Sequence, residues 1–544
     1  MVRVLPPESS PDAVQLAAAS FAVLVAYKLV QWWRSPATKT VDSAKIRTVS
    51  STLPVLGNML DAMKHGHCLH DWISSTCNEL QGQLWRLKIP SRADVVIVST
   101  PDIMEDITKT HFESFVKGDY QRDWLRDYLG DGIFSSDGDR WVHQRKTAAR
   151  FFSARLLREH MATCIQKNAL DVYNVLDKVA QNGGALDLQQ LFKEFAIQAF
   201  AEMGFGIHLN CIGASEEHPF QAAMDTATRV LSLRFRRPVV MWKLLRWLNV
   251  GEEAELRRSV KIIDDAVYKM ARESIDATFN PAVKDAKKNG TYKAKSVMEL
   301  FLHAVESESM NTIKLEDLRD FALVFVVAGR DTTADTFTWF FYLVSQHPEV
   351  ERKIREELTR KLPEFMNGTR REALRTDDIV GLVYLEAVIK ETLRLYPLPP
   401  LNIRECAQDT VLSNGALVRK GELVGLATFA MGRNPLVWGE DAASFRPERW
   451  IDPDTLKLKT VTSFKFIAFH AGPRSCLGES LAMLELKLLI VNLFARYKFD
   501  VLPGNDGAYE MSMSMSMKEP LLARVRIHHA SLMPLSYSFC SALA

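Results

Sequence analysis

The stretch Phe469-His-Ala-Gly472-Pro-Arg474-Ser-Cys476-Leu-Gly478 runs directly into an amphipathic pattern from Glu479 to Tyr497. That order sets Cys476 at the N-terminal end of a helix, where unsatisfied backbone N–H groups and the positive end of the dipole favour a thiolate. A thiolate in that position is a ready iron ligand. Gly472 and Gly478 bracket it and permit turns and the close approach of a flat macrocycle, while Arg474 is placed to meet an anionic propionate. A lone cysteine in a long chain is more often an ordinary buried thiol, so the reading rests on these residues together.

Two earlier segments bear on the same reading. Glu391-Thr-Leu-Arg394 puts a carboxylate and a guanidinium three residues apart on one helix face. The same spacing recurs at Glu255/Arg258, Glu316/Arg319, Glu349/Arg352 and Glu372/Arg375, where surface pairs are expected, so spacing alone decides nothing. Context separates the first pair: Leu395-Tyr-Pro-Leu-Pro-Pro follows it, and Phe445-Arg-Pro-Glu-Arg449-Trp450 comes later. The other segment, Ala328-Gly329-Arg330-Asp331-Thr332-Thr333, lies inside a helical pattern from Leu315 to Gln346 that His347-Pro348 stops. Such a helix spans nearly 50 Å, at about 1.5 Å per residue, and must cross a whole domain. Glycine and consecutive threonines in its middle predict a local kink.

The chain resembles the cytochrome P450 family, whose haem-binding signature F-x-x-G-x-R-x-C-x-G is matched at Phe469, Gly472, Arg474, Cys476 and Gly478. The resemblance implies haem b as cofactor, with Cys476 as the proximal iron ligand. It implies a structural ionic network of Glu391, Arg394 and Arg449, tolerable in a core only when fully hydrogen-bonded. It makes Asp331 and Thr332 the acid and alcohol that help deliver protons for oxygen activation. Trp141 and Arg145 of Trp141-Val-His-Gln-Arg145, and Arg404 after Pro399-Pro400, resemble the family's contacts to the haem propionates.

Composition fits this. The 544 residues are 47% apolar and 25% charged, which excludes a wholly disordered chain and a polytopic membrane protein. Sixty-eight basic against 66 acidic residues leave a net charge of +2, too small a field to recruit nucleic acid. Seven cysteines without a C-x-x-C pair suggest reduced thiols and no zinc module. From Ala13 to Val30 the chain is mostly Ala, Val, Leu and Phe, followed by Trp32, Trp33, Arg34, Lys39, Lys45 and Arg47. This predicts a retained membrane-anchor helix in residues 1–35, with residues 36–544 a catalytic domain on the cytosolic side. A cleaved signal peptide fits less well, since the positive charge follows the apolar run.

The body reads as mainly α, a single large P450-type helical domain with small β-sheets. Leu53-Pro-Val-Leu-Gly57-Asn turns the chain into it, and Glu252 to Phe279 reads as a helix burying one face. Strands are expected at Asp94 to Ser99, Gly421 to Ala427 and Tyr509 to Met517, where alternating Met and Ser would set the methionines on one sheet face. An apolar face is the better reading of those methionines than a metal box. Asn280 to Ser296, lysine-rich with a Pro and a Gly, reads as an exposed loop, and Ala530 to Ala544 matches nothing useful.

The presence of both Asp331 and Thr332 favours a monooxygenase over the family's peroxide-rearranging isomerases and dehydratases, and over a non-catalytic haem protein. Electrons would come from NADPH through a separate NADPH-cytochrome P450 reductase, because the chain has no Gly-rich dinucleotide fingerprint of its own. Phe325 to Thr333, Asp131 to Ala148 and Ala430 to Ala442 resemble the plant-type fatty-acid omega-hydroxylases and, less closely, the yeast alkane hydroxylases, with Arg330 part of that resemblance. The resemblance implies an endoplasmic reticulum membrane location and a long-chain fatty acid, together with O2, as substrates. Residues expected to line the pocket are Phe325, Val326, Ala328 and Gly329, with Leu398 to Ile403. A sterol or other polycyclic or xenobiotic hydroxylase is the alternative, sharing every haem motif and differing in pocket shape.

Overall fold

The structure is a computed structural model that describes residues 46–90, 92–152, 160–278, 296–306, 315–370 and 372–528. The expected anchor, the lysine-rich loop from 280 to 295 and the C-terminal segment lie outside the described residues. Helices dominate. Among them are α1 (Gly118–Leu129), α2 (Gly138–Phe151), α3 (Ala162–Asn182), α4 (Leu188–Phe205), α5 (Pro219–Arg236), α6 (Val239–Leu248), α7 (Gly251–Thr278), α8 (Leu315–Gln346), α9 (Val383–Leu395) and α10 (Glu479–Arg496), of which α1, α2, α4, α5, α8, α9 and α10 line the site.

Helix α8 has the bounds expected for it, ending where the residue before Pro348 leaves helical angles. It is continuous α-helix through Gly329, with the Thr332 hydroxyl donating to the Ala328 carbonyl at 2.7 Å and the Thr336 hydroxyl to the Thr332 carbonyl at 2.6 Å. The hydroxyls thus share carbonyls that also serve the helix, the back-bonding from which the kink was expected. Gly329 is instead a packing residue, since a Cβ there would sit 1.9 Å from the Phe200 ring of α4. The α8–α4 seam carries rings at both ends of this close approach, Phe325 against Phe200 at 5.4 Å and Phe337 against Phe192 at 5.0 Å between centroids. Helix α7 buries Leu256, Ile263, Val267 and Met270 along one stripe, as its periodicity predicts.

The strands are β1 (Arg47–Thr48), β2 (Trp85–Leu87), β3 (Val95–Val98), β4 (Phe115–Val116), β5 (Ala185–Asp187), β6 (Asn402–Cys406), β7 (Thr410–Val411), β8 (Leu417–Val418), β9 (Leu423–Leu426), β10 (Tyr497–Val501) and β11 (Leu522–Ile527). The largest sheet runs β1-β2-β3-β9-β6-β4, with β3 and β9 parallel in the register Val95↔Leu423. Both read correctly because their apolar runs are buried on both faces. A second sheet has the order β10-β11-β5. Leu53 and Gly57 close the entry turn as an isolated antiparallel bridge.

Tyr509 to Met517 corrects the sequence reading. Only its ends pair, through a Tyr509↔Met517 bridge, and the residues between form a loop. Met515 and Met517 are buried, while Met511, Ser512, Met513 and Ser514 all face one cavity. Alternation cannot sort side chains onto two faces where no partner strand fixes the pleat.

Candidate active site

The signature residues form a loop whose fold is local. The Cys476 N–H donates to the Phe469 carbonyl at 2.7 Å and the Ser475 N–H to the Gly472 carbonyl at 3.0 Å, curling the chain before α10 begins at Glu479. Gly472 has a φ of +67°, and a Cβ on it would lie 1.9 Å from the Thr108 carbonyl, so backbone geometry requires glycine there. Gly472 does not line the cavity. Gly478 does, and its missing Cβ leaves only Phe152 and the Cys476 sulfur nearby.

Cys476 is accessible because it faces a cavity of about 830 Å³. Burial pushes its thiol above the ordinary value; the Gly478 N–H and Arg145 pull the other way without prevailing. A cation bound at the sulfur would pull it back down.

A basic cluster stands beside it. Arg474 donates to Asp137 at 2.6 Å and to the Ser136 carbonyl at 3.1 Å, and its guanidinium lies 4.4 Å from the Trp141 ring. Its Nε and Nη1 are buried without a partner among the described residues. Arg404 on β6 donates only to its neighbour's carbonyl, Ile403, at 3.0 Å. Burial, with Arg474 adding, pulls it down to about 9. Burial, with Arg404 and Arg474, holds Lys117 well below its ordinary value, and burial, with Arg404 and Lys117, takes His470 down to about 3. Arg145 reaches Ser475 at 3.3 Å. Among the described residues, Asp137 is the carboxylate whose charge supports both Arg404 and Lys117. Such a concentration of desolvated cations, two of whose N–H groups are orphaned, fits a ligand bearing carboxylates. The propionates of a haem, with an apolar macrocycle filling the cavity beside Cys476, satisfy both needs.

Helix α8 forms the opposite wall. Phe325, Ala328, Gly329, Asp331 and Thr332 line the cavity. Val326 does not: fully buried, it turns into the core between α5, α7 and α8, one residue out of phase with the cavity stripe, and Val327 lines the wall instead. Burial raises the Asp331 carboxyl, against the Arg330 guanidinium 3.1 Å away. Arg330 is itself wholly buried and donates at 2.5 Å to Asp225 of α5. The third side, Leu398 to Ile403 and Arg404, is held by the antiparallel pairing of β6 with β9.

Glu391, Arg394 and Arg449 lie away from the cavity. Arg394 grips Glu391 with two bonds of 2.8 Å, Arg449 approaches the same carboxylate at 3.4 Å, and the Trp450 indole and Arg446 N–H complete its acceptor sites at 2.9 Å each. Every demand of the buried charge is met, which makes this a brace between α9 and the segment from 438 to 450.

Lys117, Asp137 and His470 went unnamed as site residues. Only His470 carries a signal, as an unspecified position within the signature; the others come from distant segments with no motif of their own.

The sequence profile described as cytochrome P450 matches residues 49–526. Cytochrome P450 704B1 of Arabidopsis thaliana is 31% identical over 500 residues, covering 87% of this chain and 94% of that protein. Cytochrome P450 86B1 of the same plant is 32% identical, covering 87% and 84%, and the cytochrome P450 monooxygenase cyp1 of Mycosarcoma maydis 31%, covering 87% and 74%. A signature loop presenting a cysteine to a cavity, and a match over nearly the whole body, establish that the chain belongs to the cytochrome P450 family, monooxygenases that bind haem b and take electrons from a redox partner.

Proposed function

We propose that the protein hydroxylates long-chain fatty acids at or near the methyl end, with Cys476 as the iron ligand. The observation that carries the reading is one cavity with a cysteine sulfur, an arginine cluster in which Arg474 keeps two unpartnered nitrogens, and an otherwise largely apolar wall. A haem bound there would supply the oxygen activation, on electrons delivered singly. Arg474, Arg404, Arg145 and Trp141 would hold its propionates, Phe469 and Gly478 flank the sulfur, and Gly472 sets the turn. Asp331, whose carboxyl burial raises above its ordinary value against the Arg330 guanidinium, and Thr332, whose hydroxyl donates to the Ala328 carbonyl, are the groups at the cavity wall that would deliver protons.

Three segments resemble plant-type fatty-acid omega-hydroxylases, and this supports the substrate class. Attack at the chain end, where C–H bonds are strongest, requires the lipid to be held end-on, which Phe325, Ala328, Gly329, Leu398 and Ile403 do by shape. The electron donor is NADPH-cytochrome P450 reductase at the endoplasmic reticulum membrane. Helix α6 supports contact with the bilayer: Val240, Met241, Leu244, Trp247 and Leu248 are exposed on it, Trp247 by 79%.

An optical titration of the haem-loaded protein tests the reading. Long-chain fatty acids give a saturable low-spin to high-spin shift of the Soret band, and product analysis finds the hydroxyl at or near the methyl end. A shift with a sterol alone moves the assignment to polycyclic substrates.

A further inference from the structure

The Met-Ser segment and a buried acid on α8 meet at the cavity. Asp335 lies one turn beyond Asp331 and is 1% exposed, with Oδ1 unpartnered and no ion pair among the described residues. Its Oδ2 accepts from the Ser516 hydroxyl at 3.0 Å; Ser516 and Ser514 are 3.4 Å apart, Ser514 and Ser512 another 3.4 Å, and Ser512 and Ser514 line the cavity. The loop that presents them is fixed from outside the line: the Trp339 indole donates to the Met515 carbonyl at 2.7 Å and Gln189 to the Met517 carbonyl at 3.0 Å.

Holding the loop does not need Asp335, since those two bonds and the Tyr509↔Met517 bridge do so. A buried carboxyl with one idle oxygen costs free energy, and an apolar residue would fill the same place. What the carboxylate adds is direction. It accepts only, and each hydroxyl has a single proton, so Ser516, Ser514 and Ser512 all turn their protons toward it. The Ser512 oxygen, which takes the Ser516 N–H at 3.5 Å on one lone pair, keeps the other for the cavity, between Met511 and Met513.

We propose that the cavity recognises a hydroxyl group on its lipid substrate, with Ser512 accepting the hydroxyl proton and Asp335 orienting Ser512 through Ser514 and Ser516. In the fatty-acid reading above, on which this rests, the substrate class becomes hydroxylated long-chain acids. Asp335 is a positioning residue and does not touch the lipid.

Half-saturation in the Soret titration is compared for octadecanoic acid and a series of hydroxyoctadecanoic acids with the hydroxyl at different carbons. The wild-type, Ser512→Ala and Asp335→Asn holoenzymes are used, with haem content and circular dichroism as checks on folding. One isomer binds wild type about three- to ten-fold more tightly than the plain acid, as a single added hydrogen bond allows. That ratio falls to about one in Ser512→Ala and drops in Asp335→Asn, which keeps the bulk but lets protons point either way. Binding of the plain acid with no preference for any isomer, or a preference that survives Ser512→Ala, overturns the inference and leaves the fatty-acid reading intact. An unchanged ratio in Asp335→Asn overturns the orienting role. If no fatty acid binds, a sterol pair differing by one hydroxyl replaces them: discrimination lost in Ser512→Ala supports the hydroxyl site while the fatty-acid reading falls, and failure to bind or discriminate overturns both.

Discussion

Glu485 brings a carboxyl into the apolar interface between α10 and α8, where its nearest polar partner is the Thr333 hydroxyl at 3.5 Å. Burial pushes it up to about 8. The native state thus holds the proton more tightly than the unfolded chain, whose carboxyls titrate near about 4.3. The stability this contributes is whole below that value and is lost as the pH rises through about 8. Glu485→Gln cannot ionise, so its stability should equal wild type near pH 4 and exceed it at pH 9 by an amount on the order of 5 kcal/mol, with the thermal midpoint moving in the same sense. Midpoints measured across that range check the sign. At the reaction centre, Cys476→Ala should abolish the thiolate-haem optical spectrum, and Thr332→Ala should raise peroxide released per NADPH consumed. A normal spectrum or unchanged coupling would remove those roles. Cys476 was legible because ten contiguous residues fix both its helix end and its turns. Lys117 and Asp137 were not, because their meaning arises only when the cavity brings them beside Arg404 and Arg474.

Helices α5 and α8 are joined by the Arg330–Asp225 pair, of which Arg330 is 0% exposed and Asp225 41%. A wholly buried pair broken on one side costs about 3–5 kcal/mol, but water on Asp225 screens this one. Asp225→Ala should therefore lower stability by about 1–2 kcal/mol, leaving Arg330 to Asp331 alone; calorimetry reads it directly. A change as small as a surface mutation gives would mean the pair does not brace α5. At this scale the sequence was most informative where one force dominated, as in α8, with its continuous pattern and proline stop. It misled at Tyr509 to Met517, since a period of two is shared by strands and by loops whose contacts are tertiary. Val326 failed for a related reason: four consecutive apolar residues in a helix point in four directions, and only packing tells which one meets the cavity.

Across the molecule, the apolar side chains of α6 stand on the surface with Leu60 and Met63, which are 51% and 72% exposed. Protein lacking residues 1–45 should still sediment with lipid vesicles, and Trp247→Asp should weaken that binding several-fold; equal binding would deny α6 the role. Fold and cofactor were readable from sequence because they depend on segments that carry their own chemistry. Substrate shape was not, since the cavity draws its walls from residues between His70 and Ser514. The sheet order β10-β11-β5 joins Ala185 to Arg524, and the loop bearing Ser512 lies just before β11. During synthesis β5 is thus made about 340 residues before its partner, a wait of roughly 20–70 s at ordinary elongation rates. Late in that interval the growing chain has its helices and its six-stranded sheet but neither the β10-β11-β5 sheet nor a closed cavity, so a ribosome that stops a few dozen codons early releases a body unable to choose a ligand.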